Sequence, residues 1–282
     1  MELTPSEQIM YNVLHIKMLD SNRKSVGTAT GFLFGFCESE EGSIVCLVTN
    51  RHVLAGCERV GLQLTRRTAD NKPDIGNLID IEIPTTNTVF HPDPNIDLAV
   101  LPVSFLLNKL KSLGNNPFVV SFQKANIPTA EEWKEFSAIE QVVMAGFPKG
   151  LRDEVNNQPI IRSGITATHP ALDFKGNPEF LIDMPCYEGC SGSPVMICDE
   201  GLYVDKRTNG IMSGPRVKLL GIQYAIPSKY LYGHLAVVKT AESIAPVVPL
   251  YMNLGFIIKS TELLVFENLL NAKFDPKAAV VI

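Results

Sequence analysis

"EGCSGSPV", residues 188–195, sets glycines, serines and a proline around Ser191. Two readings compete for it. Gly, Ser and Pro are turn residues for steric and hydrogen-bonding reasons, so the run fits a plain turn. It equally fits a backbone bent so that its own N–H groups hold a negative charge beside a nucleophilic serine. The flanks place the run between two β-type segments, "EFLIDM" (179–184) and "PVMICD" (194–199). Ser191 is therefore expected in a loop joining strands.

Working outward, the same texture continues. "IMYNVLHIKM", "ATGFLFGF", "SIVCLVTN", "VGLQLT", "IDIEI" and "LAVLPV" are runs of branched or aromatic residues, separated by turn clusters such as "DSN" and "HPDPN". A polar bridge, "NKLKSLGNNP" (108–117), precedes a second series: "FVVSF", "QVVMAGF", "PIIRSGITAT", "EFLIDM", "PVMICD" and "KLLGIQYAI". Short strands at this spacing predict an all-β protein of two packed antiparallel barrels. The expected divisions are an N-terminal barrel over 1–110, a C-terminal barrel over 111–238 and a short, mostly helical tail over 239–282. Helical signals are few. "TAEEWKEF" (129–136) carries a capping box, Thr129 with Glu132. In the tail, "KTAESIA" and "STELLVFENLLNA" have helical spacing, with a second capping pattern at Ser260/Thr261.

Bulk composition narrows the function. Hydrophobic residues make up 45% and charged residues 20% of the 282, an ordinary globular balance. A net charge of −5 with no basic block argues against a nucleic-acid partner. The apolar stretch 244–258 is short and broken by Pro246, Pro249 and Asn253, so no membrane span is expected. The N-terminal stretch shows no basic segment followed by an apolar one, and a cytoplasmic location is the expectation. In that compartment Cys37, Cys46, Cys57, Cys186, Cys190 and Cys198 read as reduced thiols. None of their spacings is that of a zinc site, so neither metal nor cofactor is expected.

Two further stretches bear on Ser191. "LVTNRHVL" (47–54) places His52 in a polar turn just after an apolar strand, and "HPDPNIDLAVLPV" (91–103) places Asp97 at the start of another. Each alone is commonly structural. Together they give the order His52, Asp97, Ser191, each at a strand edge, with His and Asp in the first half and Ser in the second. That is the chymotrypsin order. "GCSGS" also ends in Ser193 where the nucleophile elbow of an α/β-hydrolase needs a glycine.

At these residues the chain resembles a trypsin/chymotrypsin-like serine protease, nearer to the bacterial HtrA-type and glutamyl-endopeptidase branches than to digestive trypsin. "GTATGFLF", "TNRHVL", "DLAVL", "GFPKG", "RSGITATHP", "GCSGSPV" and "LLGIQYAIP" carry the resemblance, over about residues 25–230. It implies two six-stranded barrels and a serine endopeptidase acting on protein or peptide substrates. In that scheme His52 takes the Ser191 proton during attack, Asp97 holds the imidazole, and the Gly189 and Ser191 N–H groups form the oxyanion hole. Two departures matter. Trypsin-like zymogens carry an aspartate before the nucleophile, which pairs with a freshly cut N-terminus; here Cys190 stands there, so no proteolytic activation is expected. The 282 residues also leave no room for the HtrA-type peptide-binding domain, so control is expected from the tail, from a regulatory protein partner, or from the loop "KGLRDEVNN" (149–157). That loop lies where family members have an activation loop; it reads equally as a solvated surface loop.

The resemblance puts Pro185 at the floor of the specificity pocket and Gln223, Tyr224 and Ala225 along its wall, with Asp183 or Glu188 in reach if the alignment slips by one residue. An apolar floor leaves a buried Lys or Arg unpaired, so cleavage after small or medium apolar residues is expected. A regulated intracellular protease, in stress response or phage defence, is the expected role. A protease-fold scaffold without activity, or an esterase or acyl transferase on the same frame, are the alternatives.

Overall fold

The computed structural model describes residues 3–40, 42–205, 208–232 and 247–274. The helix expected at 239–245 lies outside them. Runs of β-branched and aromatic residues form strands in both halves, because such side chains suit a pleated, half-buried surface. The first half contains β1 (Val13–Leu19), β2 (Ser25–Ser39), β3 (Gly42–Thr49), β4 (Arg59–Arg67), β5 (Pro73–Pro84), β6 (Val89–Phe90) and β7 (Ala99–Pro102). They form one seven-stranded antiparallel sheet in the order β5-β4-β1-β2-β3-β7-β6, the two-residue β6 being an addition to the six expected.

The second half contains β8 (Gln141–Gly146), β9 (Ile160–Thr166), β10 (Glu179–Asp183) and β11 (Pro194–Asp199). The hairpin β12 (Leu202–Asp205)–β13 (Gly210–Ser213) follows, then β14 (Arg216–Ala225), the pair β15 (Ser228–Tyr232)–β16 (Val247–Tyr251) and β17 (Leu254–Lys259). Six of these close a barrel in the order β10-β17-β14-β11-β8-β9. The barrel therefore does not end at residue 238. Its sixth strand is β17, from the segment expected to be a helical tail, because Leu254–Lys259 is an apolar run that fills the gap between β10 and β14.

Among the described residues five α-helices accompany the sheets: α1 (Pro5–Asn12), α2 (Arg51–Ala55), α3 (Ser104–Ser112), α4 (Ala130–Glu135) and α5 (Val265–Lys273). The capping box of Thr129 and Glu132 opens α4 as expected. A second box, Thr4 with Glu7, opens α1, so residues 9–12 are helical and not part of the first strand. The division expected at 110/111 falls inside α3. "FVVSF" forms no strand; only an isolated bridge joins Phe122 to Phe34. The Ser260/Thr261 pattern makes no side-chain cap, and a 3₁₀ turn over Ser260–Leu264 leads into α5 instead.

Three apolar clusters hold the halves. One fills the first sheet, around Ile16, Leu33, Leu47, Leu62 and Leu101. Another fills the second barrel, around Met144, Phe180, Ile182, Leu220 and Ile257. The third is the seam between them, where Phe32, Phe34 and Phe36 of β2 meet Phe147, Met196, Ile222 and, from α5, Phe266 and Leu270. Strand β2 is buried on both faces over Ala29–Phe36: Ala29 and Leu33 point into the first cluster and the three phenylalanines into the seam. Each fully buried phenylalanine contributes about 1.5–3 kcal/mol, so the seam is a core in its own right. Helix α5 closes it, with the Glu267 carboxylate accepting from the Cys37 N–H at 2.6 Å.

Candidate active site

Strands β3 and β7 pair antiparallel with Thr49 opposite Ala99, which sets the residues after β3 beside those before β7. Asn50 is extended and ends the strand, and the chain turns at once into α2, a five-residue helix where a polar turn was expected. His52 thereby faces Asp97. The Asp97 carboxylate holds it twice: Oδ2 is 2.6 Å from His52 Nδ1, and Oδ1 accepts from the His52 N–H at 2.9 Å. The Asp97 carbonyl is held as well, by Asn50 Nδ2 at 2.9 Å and the Arg51 N–H at 3.3 Å. The His52 side chain is 51% exposed and that of Asp97 23%. With Nδ1 engaged, Nε2 is left for a different partner, and no hydrogen bond among the described residues occupies it.

Ser191 sits in the loop between β10 and β11, brought to the same seam by contacts that cross it. The Thr30 N–H of β2 donates to the Ser191 carbonyl at 2.9 Å. Gly192 has φ +87°, and a Cβ there would collide with the Thr30 carbonyl oxygen and with Thr49 Oγ1, at the end of β3 that leads to His52. Only glycine tolerates both the angle and the approach. Ser191 Oγ has no hydrogen-bond partner among the described residues, and none joins it to His52; such bonds are commonly long before substrate binds.

The N–H groups from Gly189 to Ser193 divide into two sets. Cys190 donates to the Tyr187 carbonyl at 3.1 Å, Gly192 to that of Gln223 at 2.9 Å and Ser193 to that of Cys190 at 2.9 Å. Those of Gly189 and Ser191 have no acceptor among the described residues. Backbone donors in folded proteins are overwhelmingly paired, so two open donors one residue apart leave room for an oxygen from outside the chain. Gly189 also has φ +87°, and a Cβ there would stand 2.6 Å from the Phe147 carbonyl oxygen.

Thr30 holds this arrangement together, and sequence reading missed it. Its hydroxyl donates to the Gly189 carbonyl at 2.8 Å and accepts from the Phe147 N–H at 3.0 Å, and its own carbonyl accepts from Thr49 Oγ1 at 2.7 Å. The available signal was a hydroxyl among apolar neighbours in "GTATGFLF", on the strand that lines the seam.

The four residues expected at the pocket differ in place. Pro185 is exposed and Ala225 half-buried. Gln223 is 1% exposed; its N–H donates to the Ser193 carbonyl at 2.9 Å, so it braces the serine loop from within. The Tyr224 hydroxyl donates to Glu179 at 2.5 Å, and burial, that bond and the Glu179 and Asp97 carboxylates push its phenol up. The loop 149–157 touches both halves: the Lys149 N–H donates to the Glu188 carbonyl at 2.6 Å, and Asn157 Nδ2 to that of Gln63 at 3.0 Å.

All six cysteines are free, and burial pushes Cys186 up to about 12 and Cys198 up to about 11, as inert buried thiols do. Among the described residues no cluster of three or more His, Cys, Asp or Glu is arranged to hold a metal ion, and no helix is long and apolar enough to cross a membrane.

Comparison with solved structures finds a serine endoprotease from Yersinia pestis, 15% identical over 97% of this chain and 69% of that one, with a TM-score of 0.46. A thermostable serine protease from an extremophilic microorganism is 10% identical over 95% of this chain and 100% of that one, TM-score 0.46. An M. tuberculosis protease in its active form is 18% identical over 90% and 78%, TM-score 0.43. At these values the likeness carries no argument about the site. No curated protein matches the chain in sequence. The family model of the trypsin-like peptidase domain, however, matches residues 29–204, more than half of the 282 residues and a span that includes His52, Asp97 and Ser191; the chain belongs to the trypsin-like peptidase family.

Proposed function

We propose that this peptidase is a serine endopeptidase working through His52, Asp97 and Ser191. The observation that carries the reading is the double hold of Asp97 on His52, which leaves Nε2 free, beside a serine loop with two open N–H groups. Ser191 Oγ attacks the scissile carbonyl while His52 Nε2 takes its proton. Asp97 keeps the other ring proton on Nδ1 and stabilises the imidazolium. The carbonyl oxygen, now negative, accepts from the Gly189 and Ser191 N–H groups, each worth about 3 kcal/mol in such a role. His52 then passes its proton to the leaving amine, which departs with the cleaved C–N bond, and an acyl-Ser191 ester remains. Water, deprotonated by His52, attacks that ester and releases the acid, and the proton returns to Ser191.

Pro185 and Ala225 border the residue before the cut, with Gln223 and Tyr224 behind them as support, and small or medium apolar side chains suit that border. The six free thiols fit a cytoplasmic enzyme. A regulated role, in stress response or phage defence, is part of the proposal, and the proteins it cuts in a lysate, read from their new N-termini, decide it. The test of the chemistry is a fluorophosphonate probe with a peptide substrate. Covalent labelling with peptide turnover is expected. Absence of both would leave a protease-fold scaffold, and ester cleavage without peptide turnover an esterase or acyl transferase.

A further inference from the structure

Cys190 cannot form the ion pair that anchors the serine loop once a trypsin-like zymogen has been cut, so the loop needs another anchor. One cationic side chain among the described residues bonds to it. Arg162 projects from β9, where Arg162 is paired with Met144 of β8 in the barrel wall. Its Nη1 donates to the Pro185 carbonyl, its Nη2 lies 3.0 Å from Cys190 Sγ, and its Cζ stands 6.0 Å from the centre of the Tyr187 ring. Those partners span the loop from its first turn to the residue before Ser191. No carboxylate among the described residues pairs with Arg162, and its Nε is buried without a partner. The cation therefore serves the loop alone.

We propose that Arg162 is a positioning residue for the oxyanion hole. Its rigid, forked guanidinium ties Pro185 and Cys190 to the barrel wall, so that residues 186–189 span a fixed distance and the Gly189 and Ser191 N–H groups stay turned toward the substrate. A planar fork suits this better than a single ammonium, because it bonds two groups at once in fixed directions. Both acceptors belong to the folded chain itself, so the anchor is present as soon as the chain folds. This replaces an activation cut with a contact made within the barrel.

The proposal rests on Ser191 as the nucleophile, and its test separates the two. Arg162→Met keeps the stem and removes the fork; Arg162→Lys keeps a charge but replaces the planar fork with a single nitrogen. With a neutral peptide substrate, Arg162→Met should lower kcat by about tenfold to a hundredfold, less than the loss of a whole oxyanion donor, while KM stays within a few-fold. Affinity for a peptide aldehyde, whose adduct places an oxyanion in the hole, should fall by the same factor as kcat, and affinity for the cleaved acid product should not. Arg162→Lys should recover part of the loss, and it carries the test if Arg162→Met does not fold. Unchanged kcat and aldehyde affinity in folded variants would overturn the proposal. So would a rise in KM confined to substrates with Asp or Glu before the cut, which would assign the guanidinium to substrate binding. Failure of the wild type to take a fluorophosphonate at Ser191 would break the underlying reading; equal labelling rates in wild type and Arg162→Met would break this proposal alone.

Discussion

The His52–Asp97 edge and the Ser191 loop are built in opposite ways. The first is local: one pair of strands in register brings residues 50–52 beside residue 97, and four hydrogen bonds to Asp97 complete it. The second is assembled from afar. Thr30 reaches it across the seam, Gln223 from β14, Lys149 from the preceding loop and Arg162 from β9. The His52–Asp97 contact should therefore form wherever the first sheet forms, while the serine loop is right only when both halves and their seam are in place. Substitutions at the seam should reach the chemistry without touching His52 or Asp97.

The largest effect tests the two regions at their centre. Ser191→Ala should remove covalent labelling and peptide turnover and leave the thermal midpoint nearly unchanged, since Ser191 Oγ has no hydrogen-bond partner among the described residues. Turnover near wild type would end the assignment. Asp97→Asn should lower kcat by about 10⁴-fold, the loss that the wrong imidazole tautomer brings. Asp93, whose carboxylate caps the Asn95 turn, should matter far less. A greater loss for Asp93→Asn would mean that the acid is misnamed.

Seam substitutions sharpen the contrast. Gly192→Ala puts a methyl against the Thr30 carbonyl at a positive φ, and should cost about 2–4 kcal/mol in urea unfolding together with most of the activity. Thr30→Val keeps the shape but leaves the Phe147 N–H unpaired and frees the Gly189 carbonyl, a loss of about 1–3 kcal/mol. Its kcat should fall with the His52–Asp97 hydrogen bond intact, which the downfield imidazole proton in an NMR spectrum would report. Loss of that resonance in Thr30→Val would show that the two regions are not separable.

The smallest effect lies away from both. Burial, with Arg152 and then Lys17 beside it, holds the His15 imidazole down at about 4 against an ordinary 6.5. The unfolded chain then binds a proton at His15 before the folded chain does, so this contribution to stability is complete above pH 6.5 and is lost as pH falls through 4. His15→Gln should flatten the decline in thermal midpoint across that window. Parallel curves for the two proteins would contradict it.

What was legible in the sequence follows the same division. His52, Asp97 and Ser191 stand in short motifs whose neighbours are strand ends and turn residues, so their places could be read locally. Thr30 and Gly189 are 159 residues apart, and nothing in "GTATGFLF" alone tells which face of β2 meets the other half. Arg162 lies within "RSGITATHP", a segment recognised as a strand, but its target appears only once β9 is set against the loop 185–190. Strand β17 was hidden for a related reason. "LGFII" is an apolar run without a helix or strand period, and its place was decided by the open slot between β10 and β14.

One measurement tests the central claim most directly. The wild-type chain is treated with a fluorophosphonate, digested, and the adduct located by mass spectrometry, with the rate of labelling compared between variants. The account predicts a single adduct on Ser191, absent from Ser191→Ala, with labelling that is strongly reduced in Asp97→Asn. An adduct on another residue, or no adduct on a chain that is folded, would contradict it.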